Sequence, residues 1–196
     1  FGQRHFESLR FYDPVSGHVV ALANDADRMH LEMWSYAVET DTWTPIRQAN
    51  RLAIEPQEYV YDASVDRIVA YSHTGDTAGH KTWLFDLRTG SWSGTGALTP
   101  EFYYGWIGPP PPAIAYHEAA ERTVMVGQGR SVAYDAAADR WETLFETPSE
   151  DQPAVCEDRP ECRMGRLMVY DPVNGRLVAY GGEAYTTCTW EAVGDM

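Results

Sequence analysis

The segment VYDPVNGRLVAYGG, residues 169–182, contains the signals of a β-hairpin in their expected order. Asp171 can accept hydrogen bonds from turn amides, and the proline that follows it restricts φ. Gly175 supplies the positive φ that a tight turn needs. The apolar run after the glycine is expected to alternate between the two faces of a strand, because successive side chains of a strand point in opposite directions. The segment therefore predicts two antiparallel strands joined by a short turn.

Three more copies of this hairpin occur in the chain. They read FYDPVSGHVVALAN (11–24), VYDASVDRIVAYSH (60–73) and AYHEAAERTVMVGQ (115–128). The third copy has some helix propensity, but its register with the other copies favours a hairpin. The anchoring tyrosines are Tyr12, Tyr61, Tyr116 and Tyr170, which gives a period of 49 to 55 residues. Self-similarity at such a period indicates a repeat architecture.

A second pattern follows each of the first three copies. An aromatic residue precedes a tryptophan by seven positions in the pairs Tyr36–Trp43, Phe85–Trp92 and Tyr134–Trp141. Turn-forming residues lie between the two members of each pair, so this pattern predicts a second hairpin. Each repeat then has four antiparallel strands, and such a sheet must be sandwiched by its neighbours because it cannot bury both faces alone.

These motifs resemble the kelch repeat. The resemblance rests on the Tyr-Asp turn, on the doublet Gly181-Gly182 and on the aromatic residue seven positions before a tryptophan. The doublet is replaced by other residues in the first three repeats, which are degenerate in this respect. The residues to which the resemblance assigns a structural role are Tyr12, Tyr61, Tyr170, Trp43, Trp92, Trp141, Gly181 and Gly182.

The resemblance implies an all-β fold, a kelch-like β-propeller of four-stranded antiparallel blades. Residues 1–196 are expected to form a single domain of about three and a half blades. The approximate repeats are 5–50, 55–98, 112–147 and 164–196, and the last is incomplete because comparison with the first repeat places its third strand only near residue 194.

Kelch propellers usually have six or seven blades, which requires on the order of 300 to 350 residues. We therefore expect the chain to belong to a longer polypeptide or to an oligomer that completes the ring. A compact four-bladed ring is the alternative.

The composition excludes some partners. The chain has 29 acidic and 15 basic side chains and a formal net charge of -14, which disfavours contact with nucleic acid and with anionic membrane surfaces. No apolar window is long enough to cross a bilayer, so membrane insertion is not expected.

Connections between the second and third strands, and between successive blades, are expected on one face of a propeller. One connection, ALTPEFYYGWIGPPPPA, carries Tyr103, Tyr104 and Trp106 beside four prolines. Such rings can stack on a sugar or on apolar side chains of a protein partner, or they can cover the joint between blades. The candidate ligand-binding residues on this face are Tyr103, Tyr104, Trp106, His73, His80, Arg130 and Glu183.

Evidence for a metal or another cofactor is weak, and none is predicted. His73 and His80 could ligate a metal, but their spacing matches no compact motif. Asn24, Asp25 and Asp27 offer alternating oxygen ligands without the glycine and glutamate of a calcium loop. No catalytic residue is predicted, because the chain contains no nucleophile, metalloprotease or phosphate-loop motif.

The three cysteines predict a disulfide. Cys156 and Cys162 lie in one acidic, proline-bearing loop and are expected to pair. The alternatives are that Cys188 pairs with either one or with sequence outside this chain, or that the three thiols bind zinc. A disulfide indicates an oxidising compartment, so an extracellular or cell-surface location is expected.

The function expected from these features is recognition. We expect a non-catalytic module that binds a protein or a glycan through its loop face. Two alternatives remain: a carbohydrate-active or oxidative enzyme, since kelch-like propellers include galactose oxidase, and a structural subunit of a surface assembly. No catalytic residue of galactose oxidase can be matched to a position in this chain.

Overall fold

The structure, a computed structural model, contains seventeen strands and one short 3-10 helix among the residues that it describes. These are residues 10–24, 31–50, 58–72, 81–100, 102, 112–127, 129–146, 163–164, 167–181, 183–186 and 189–192.

Three four-stranded antiparallel sheets follow one another along the chain, each with its strands in sequence order. Sheet 1 contains β1 (Arg10–Asp13), β2 (His18–Asn24), β3 (Leu31–Ala37) and β4 (Thr42–Pro45). Sheet 2 contains β5 (Glu58–Asp62), β6 (Arg67–Ser72), β7 (Lys81–Asp86) and β8 (Ser91–Leu98). Sheet 3 contains β9 (Ala113–His117), β10 (Arg122–Gly127), β11 (Arg130–Asp135) and β12 (Arg140–Glu146). The prediction of an all-β fold built from four-stranded antiparallel sheets is confirmed.

The last repeat has a different arrangement. Strands β14 (Leu167–Asp171) and β15 (Arg176–Tyr180) form a two-stranded sheet in the predicted hairpin register. Strands β13 (Arg163–Met164), β16 (Glu183–Thr186) and β17 (Thr189–Ala192) form a separate three-stranded sheet. The sequence comparison placed the next strand only near residue 194, so it missed β16 and β17. Strand β16 pairs with β13, which has no counterpart in the other repeats, and this contact is not contained in a repeat alignment.

In sheets 1, 2 and 3, an aromatic residue pairs with a tryptophan across the second hairpin, which explains why the three hairpins share the same strand register. Tyr36 lies directly opposite Trp43 on the neighbouring strand, and the other two pairs, Phe85–Trp92 and Tyr134–Trp141, occupy equivalent positions. The ring centroids are 4.8, 4.9 and 5.0 Å apart. A cross-strand aromatic contact of this kind contributes about 0.5–1 kcal/mol beyond burial and fixes the pairing of the two strands.

The core lies between the sheets. Val20, Leu22 and Met33 of sheet 1 share one apolar cluster with residues of sheet 2, including Phe85 and Trp92. A second cluster at the contact of sheets 2 and 3 contains Tyr71, Phe102, Met125 and Val132. Full burial of each large side chain stabilises the fold by about 1.5–3 kcal/mol relative to exposure. Each sheet therefore depends on its neighbours for much of its stability.

The series of sheets is open, since the described strands of the last repeat and sheet 1 do not close it into a ring. Within the part of the chain that the structure describes, no helix is long and apolar enough to cross a membrane.

Candidate functional site

The sheets have two chemically different ends. In an antiparallel sheet whose strands run in sequence order, the turns that join strands one and two, and three and four, lie at the same end. We call this the turn end. The connection between strands two and three lies at the opposite end, where the chain also leaves for the next sheet. We call this the loop end.

The turn end is uniform. Seven hairpin turns have four residues each, at positions 14–17, 38–41, 63–66, 87–90, 118–121, 136–139 and 172–175. The last residue of every one of these turns has a positive φ, and four of the seven are Asp or Glu rather than Gly. A positive φ costs a residue with a side chain roughly 1 kcal/mol or more, so the turns with Asp or Glu need compensating contacts.

A tyrosine supplies that compensation wherever the positive-φ residue is an aspartate. Tyr36 donates its hydroxyl to Asp41 at 2.9 Å, and Tyr61 and Tyr134 donate to the aspartates five residues after them at 2.7 and 2.8 Å. In the turn that follows Phe85, which has no hydroxyl, the corresponding residue is Gly90. The five-residue spacing from tyrosine to aspartate is visible in the sequence, but the hydrogen bond between the two side chains could be recognised only from the geometry of the turn.

Aspartates at the ends of first strands also bond across the sheets. Asp13 accepts the amide of Val15 and two hydrogen bonds from Arg88 of sheet 2, at 3.0 and 2.8 Å. Arg88 also donates to Asp66 at 3.1 Å, so one guanidinium joins two sheets. Burial alone would raise the pKa of Asp13, but the bonds from Arg88, Ser16 and the Val15 amide outweigh it and lower the pKa to about 2.

Asp62 occupies the equivalent position in sheet 2 and has no arginine partner among the described residues. It is fully buried and accepts hydrogen bonds from Ser64 and from Thr123 of sheet 3, the latter at 3.1 Å. Burial raises the pKa of this carboxyl, and the hydrogen bonds offset the effect only in part. Both aspartates stabilise turns and join sheets, so their role is structural. The candidate functional site lies at the loop end.

The loop end differs from one sheet to the next. The connections between second and third strands run through residues 25–30, 73–80 and 128–129, and those between sheets through 46–57 and 99–112. A constant framework with connections of different length and composition is typical of proteins that bind partners through their loops.

The connection between sheets 2 and 3 is anchored at both ends. Phe102 is buried, and its ring makes an edge-to-face contact with Tyr71 at 6.3 Å. Pro112 is also buried, and it lies so close to Gly127 that a methyl group there would come within 3.2 Å of the proline Cα. The two residues that flank positions 103–111, Phe102 and Pro112, are therefore both held against the sheets.

A buried chain of polar groups supports the first anchor. The hydroxyls of Thr82 and Thr99 are 2.6 Å apart, and the indole of Trp141 donates to Thr82 at 2.8 Å. Both threonines are almost fully buried, and these bonds provide polar partners for hydroxyls that are out of water. The roles of Thr82, Thr99 and Pro112 could not be predicted from the sequence, since isolated threonines and one proline in a run carry no distinctive signal.

Arg130 is the one predicted ligand-binding residue whose side chain the structure describes. It begins β11 and forms an ion pair with Glu146 across the sheet at 3.0 Å. Glu183 begins β16, and its side chain is outside the description. The remaining predicted residues, which are Tyr103, Tyr104, Trp106, His73 and His80, also lie outside the described residues. Their convergence on one face stays a prediction.

Cys156, Cys162 and Cys188 lie outside the described residues, so the disulfide and the location inferred from it stay predictions. Of the residues with structural roles, Gly181 has a positive φ of 71° and Gly182 is outside the description. Among the described residues, no group of three or more His, Cys, Asp or Glu side chains could hold a metal ion.

No protein-family model and no curated protein sequence matches the chain. The structure of YjhT matches over 91% of this chain with a TM-score of 0.57 at 12% identity, and the chain spans 59% of YjhT. A structural genomics protein of unknown function from Bacteroides thetaiotaomicron matches over 96% of this chain with a TM-score of 0.47 at 12% identity, and the chain spans 44% of it. The likeness to YjhT concerns the fold alone, and together with the four-stranded antiparallel sheets it fits a β-propeller-like fold.

Proposed function

We propose that the chain is part of a kelch-like β-propeller that acts as a non-catalytic recognition module. Its loop end binds a protein or a glycan, and its sheets hold that end rigid. The repeated cross-strand aromatic pairs and the Asp-capped turns support the kelch assignment. Closure into a complete ring is part of this proposal.

The observation that carries the proposal is the double anchoring of residues 103–111. Phe102 and Pro112 are buried at the contact of sheets 2 and 3, so both ends of the segment are fixed. The segment itself contains Tyr103, Tyr104 and Trp106 and three of the four consecutive prolines. Fixed ends and prolines reduce the conformational entropy that is lost on binding, and aromatic rings provide stacking surfaces for sugars or apolar side chains.

The test is a binding screen of the intact chain against immobilised glycans and proline-rich peptides. We expect a hit that Trp106→Ala abolishes and that Val173→Ala, an exposed change at the turn end, leaves unchanged. Unaltered circular dichroism and thermal unfolding of both variants would separate loss of binding from loss of folding. A hit that survives the combined change of Tyr103, Tyr104 and Trp106 to alanine would contradict the proposal, as would the absence of any hit.

A further inference from the structure

The turn of the last hairpin contains an asparagine followed by a glycine, Asn174-Gly175. The other two asparagines of the chain, Asn24 and Asn50, are followed by aspartate and arginine. Asn174 and Gly175 are both exposed. A methyl group added to Gly175 would meet nothing within 4 Å, so the backbone beside the asparagine is open to solvent.

The backbone amide of Gly175 differs from the amides of the glycines that end two other turns. Gly17 and Gly90 donate to the carbonyl oxygens of Asp13 and Asp86 at 2.9 and 2.8 Å. Among the described residues, the amide of Gly175 has no such backbone acceptor. Solvent base can therefore remove its proton without first breaking a hydrogen bond of the turn.

The carboxamide of Asn174 is held by one exposed contact. Its Nδ2 donates to Oδ2 of Asp171 at 2.6 Å. The carboxamide of Asn50, in contrast, donates to the carbonyl oxygen of Trp92 at 2.8 Å and accepts the amide of Trp92 at 2.7 Å, in a part-buried position. Asn50 is therefore an internal control for the reactivity of Asn174.

We propose that Asn174 is a site of covalent modification, at which the side chain deamidates through a cyclic imide formed with Gly175. Hydroxide removes the amide proton of Gly175, and the nitrogen attacks the side-chain carbonyl carbon of Asn174. The bond from this carbon to Nδ2 breaks, and Nδ2 takes a proton from water and leaves as ammonia. Water then opens the imide at either carbonyl, which gives aspartate or isoaspartate. Glycine favours the attack because it has no β-carbon to crowd the nitrogen or to restrict the backbone.

The products change the turn in two ways. The hydrogen bond from Asn174 is the largest of the causes that lower the pKa of Asp171, and the product replaces its donor by a second carboxylate. Like charges at such a distance repel. Isoaspartate also adds a methylene group to the backbone, which disturbs the pairing of Asp171 with Arg176. A two-stranded hairpin has little stability of its own, so we expect the modification to loosen it and its contact with sheet 3, in which the rings of Tyr170 and His117 are 4.9 Å apart.

Incubation of the intact, folded chain at mildly alkaline pH tests the proposal, with peptide mass spectrometry and enzymatic labelling of isoaspartate as the readouts. We expect modification at Asn174 that becomes faster with rising pH, and none at Asn50. Gly175→Ala should slow it by roughly tenfold or more, because the β-carbon crowds the attacking nitrogen. Asn174→Ser is the matched control, since Ser16 donates to Asp13 at 2.6 Å in the equivalent turn of sheet 1. This variant should keep the hairpin and should not be modified.

The same incubation in urea shows the reactivity of the unfolded sequence. A folded chain that remains unmodified at Asn174, while the unfolded chain reacts, would overturn the proposal, because the turn would then protect the pair. Equal modification of Asn50 would overturn it too. Hydrogen exchange of β14 and β15 is expected to be faster in the aged wild type than in aged Asn174→Ser. Equal exchange after complete modification would contradict the loosening of the hairpin. None of these outcomes involves ligand binding, so they do not depend on the function proposed above.

Discussion

At the turn end, seven hairpin turns have four residues each and end on a residue with positive φ. At the loop end, the connections between second and third strands differ in length, since they run through residues 25–30, 73–80 and 128–129. The turn end also carries bonds between sheets, such as those of Arg88 to Asp13 and of Thr123 to Asp62. The turn end is therefore constant in length and backbone geometry, and the loop end varies in length and composition between anchors, such as Phe102 and Thr99, that are themselves buried against the sheets.

The largest effect is expected where a turn of one sheet contacts a neighbouring segment. Gly90 has a φ of +69°, and a methyl group on it would lie 2.3 Å from the carbonyl oxygen of Arg47. Gly90→Ala must therefore displace the segment that holds Ala49, whose amide donates to Gly90. We expect a loss of about 3 kcal/mol in the free energy of unfolding, measured with urea.

Gly175→Ala is the matched control for this change. Gly175 also has a positive φ, +61°, but nothing lies within 4 Å of the added methyl group. The loss in the free energy of unfolding is expected to come from the strained backbone conformation alone and to be about 1 kcal/mol. Equal losses for the two variants would show that contacts between sheets do not stabilise the turn end.

Removal of Arg88, which joins sheets 1 and 2, is expected to reduce the free energy of unfolding somewhat less than Gly90→Ala does. Arg88→Ala leaves the carboxylate of Asp13 buried without its charged partner, and we expect a loss of about 2 kcal/mol in urea unfolding. Arg88→Lys keeps the charge but cannot bond both aspartates in the same fork geometry, so an intermediate loss is expected. An alanine variant as stable as the wild type would contradict the role of Arg88.

The hairpins could be predicted from the sequence because their signals are local. Asp171, Gly175 and the aromatic residue seven positions before a tryptophan all act within a few residues of each other. The bonds between sheets could not be predicted. Arg88 reaches Asp13 across 75 positions, and Asn50 pairs its carboxamide with the backbone of Trp92 across 42. Such contacts depend on how the sheets stack, which no local pattern specifies.

The pH dependence of stability separates the two buried aspartates of the turn end. The folded pKa of Asp13, about 2, is below the unfolded value of about 3.9, so its contribution is present above about pH 4 and is lost as the pH falls toward 2. Asp13→Asn is expected to cost about 2 kcal/mol at pH 7 and progressively less below pH 4.

Asp62 should show the opposite sign. Its folded pKa is raised, so ionisation opposes folding, and stability falls as the pH rises through that pKa. Asp62→Asn is therefore expected to increase stability at pH 7, with a gain that fades as the pH is lowered. Urea unfolding of both variants between pH 7 and pH 3 measures the two trends. Parallel trends would contradict the assignment of an arginine partner to only one of the carboxyls.

The smallest effect is expected at the loop end. Arg130 pairs with Glu146, whose side chain is half exposed, and pairs of this kind contribute about 0.2–1 kcal/mol because water screens them. Arg130→Ala should therefore reduce the free energy of unfolding by less than Arg88→Ala, and the difference from wild type should shrink in high salt. If the loop end binds a ligand, the same change should alter affinity more than stability. A stability loss as large as that of Arg88→Ala would contradict the weak, water-screened contribution expected of the Arg130–Glu146 pair.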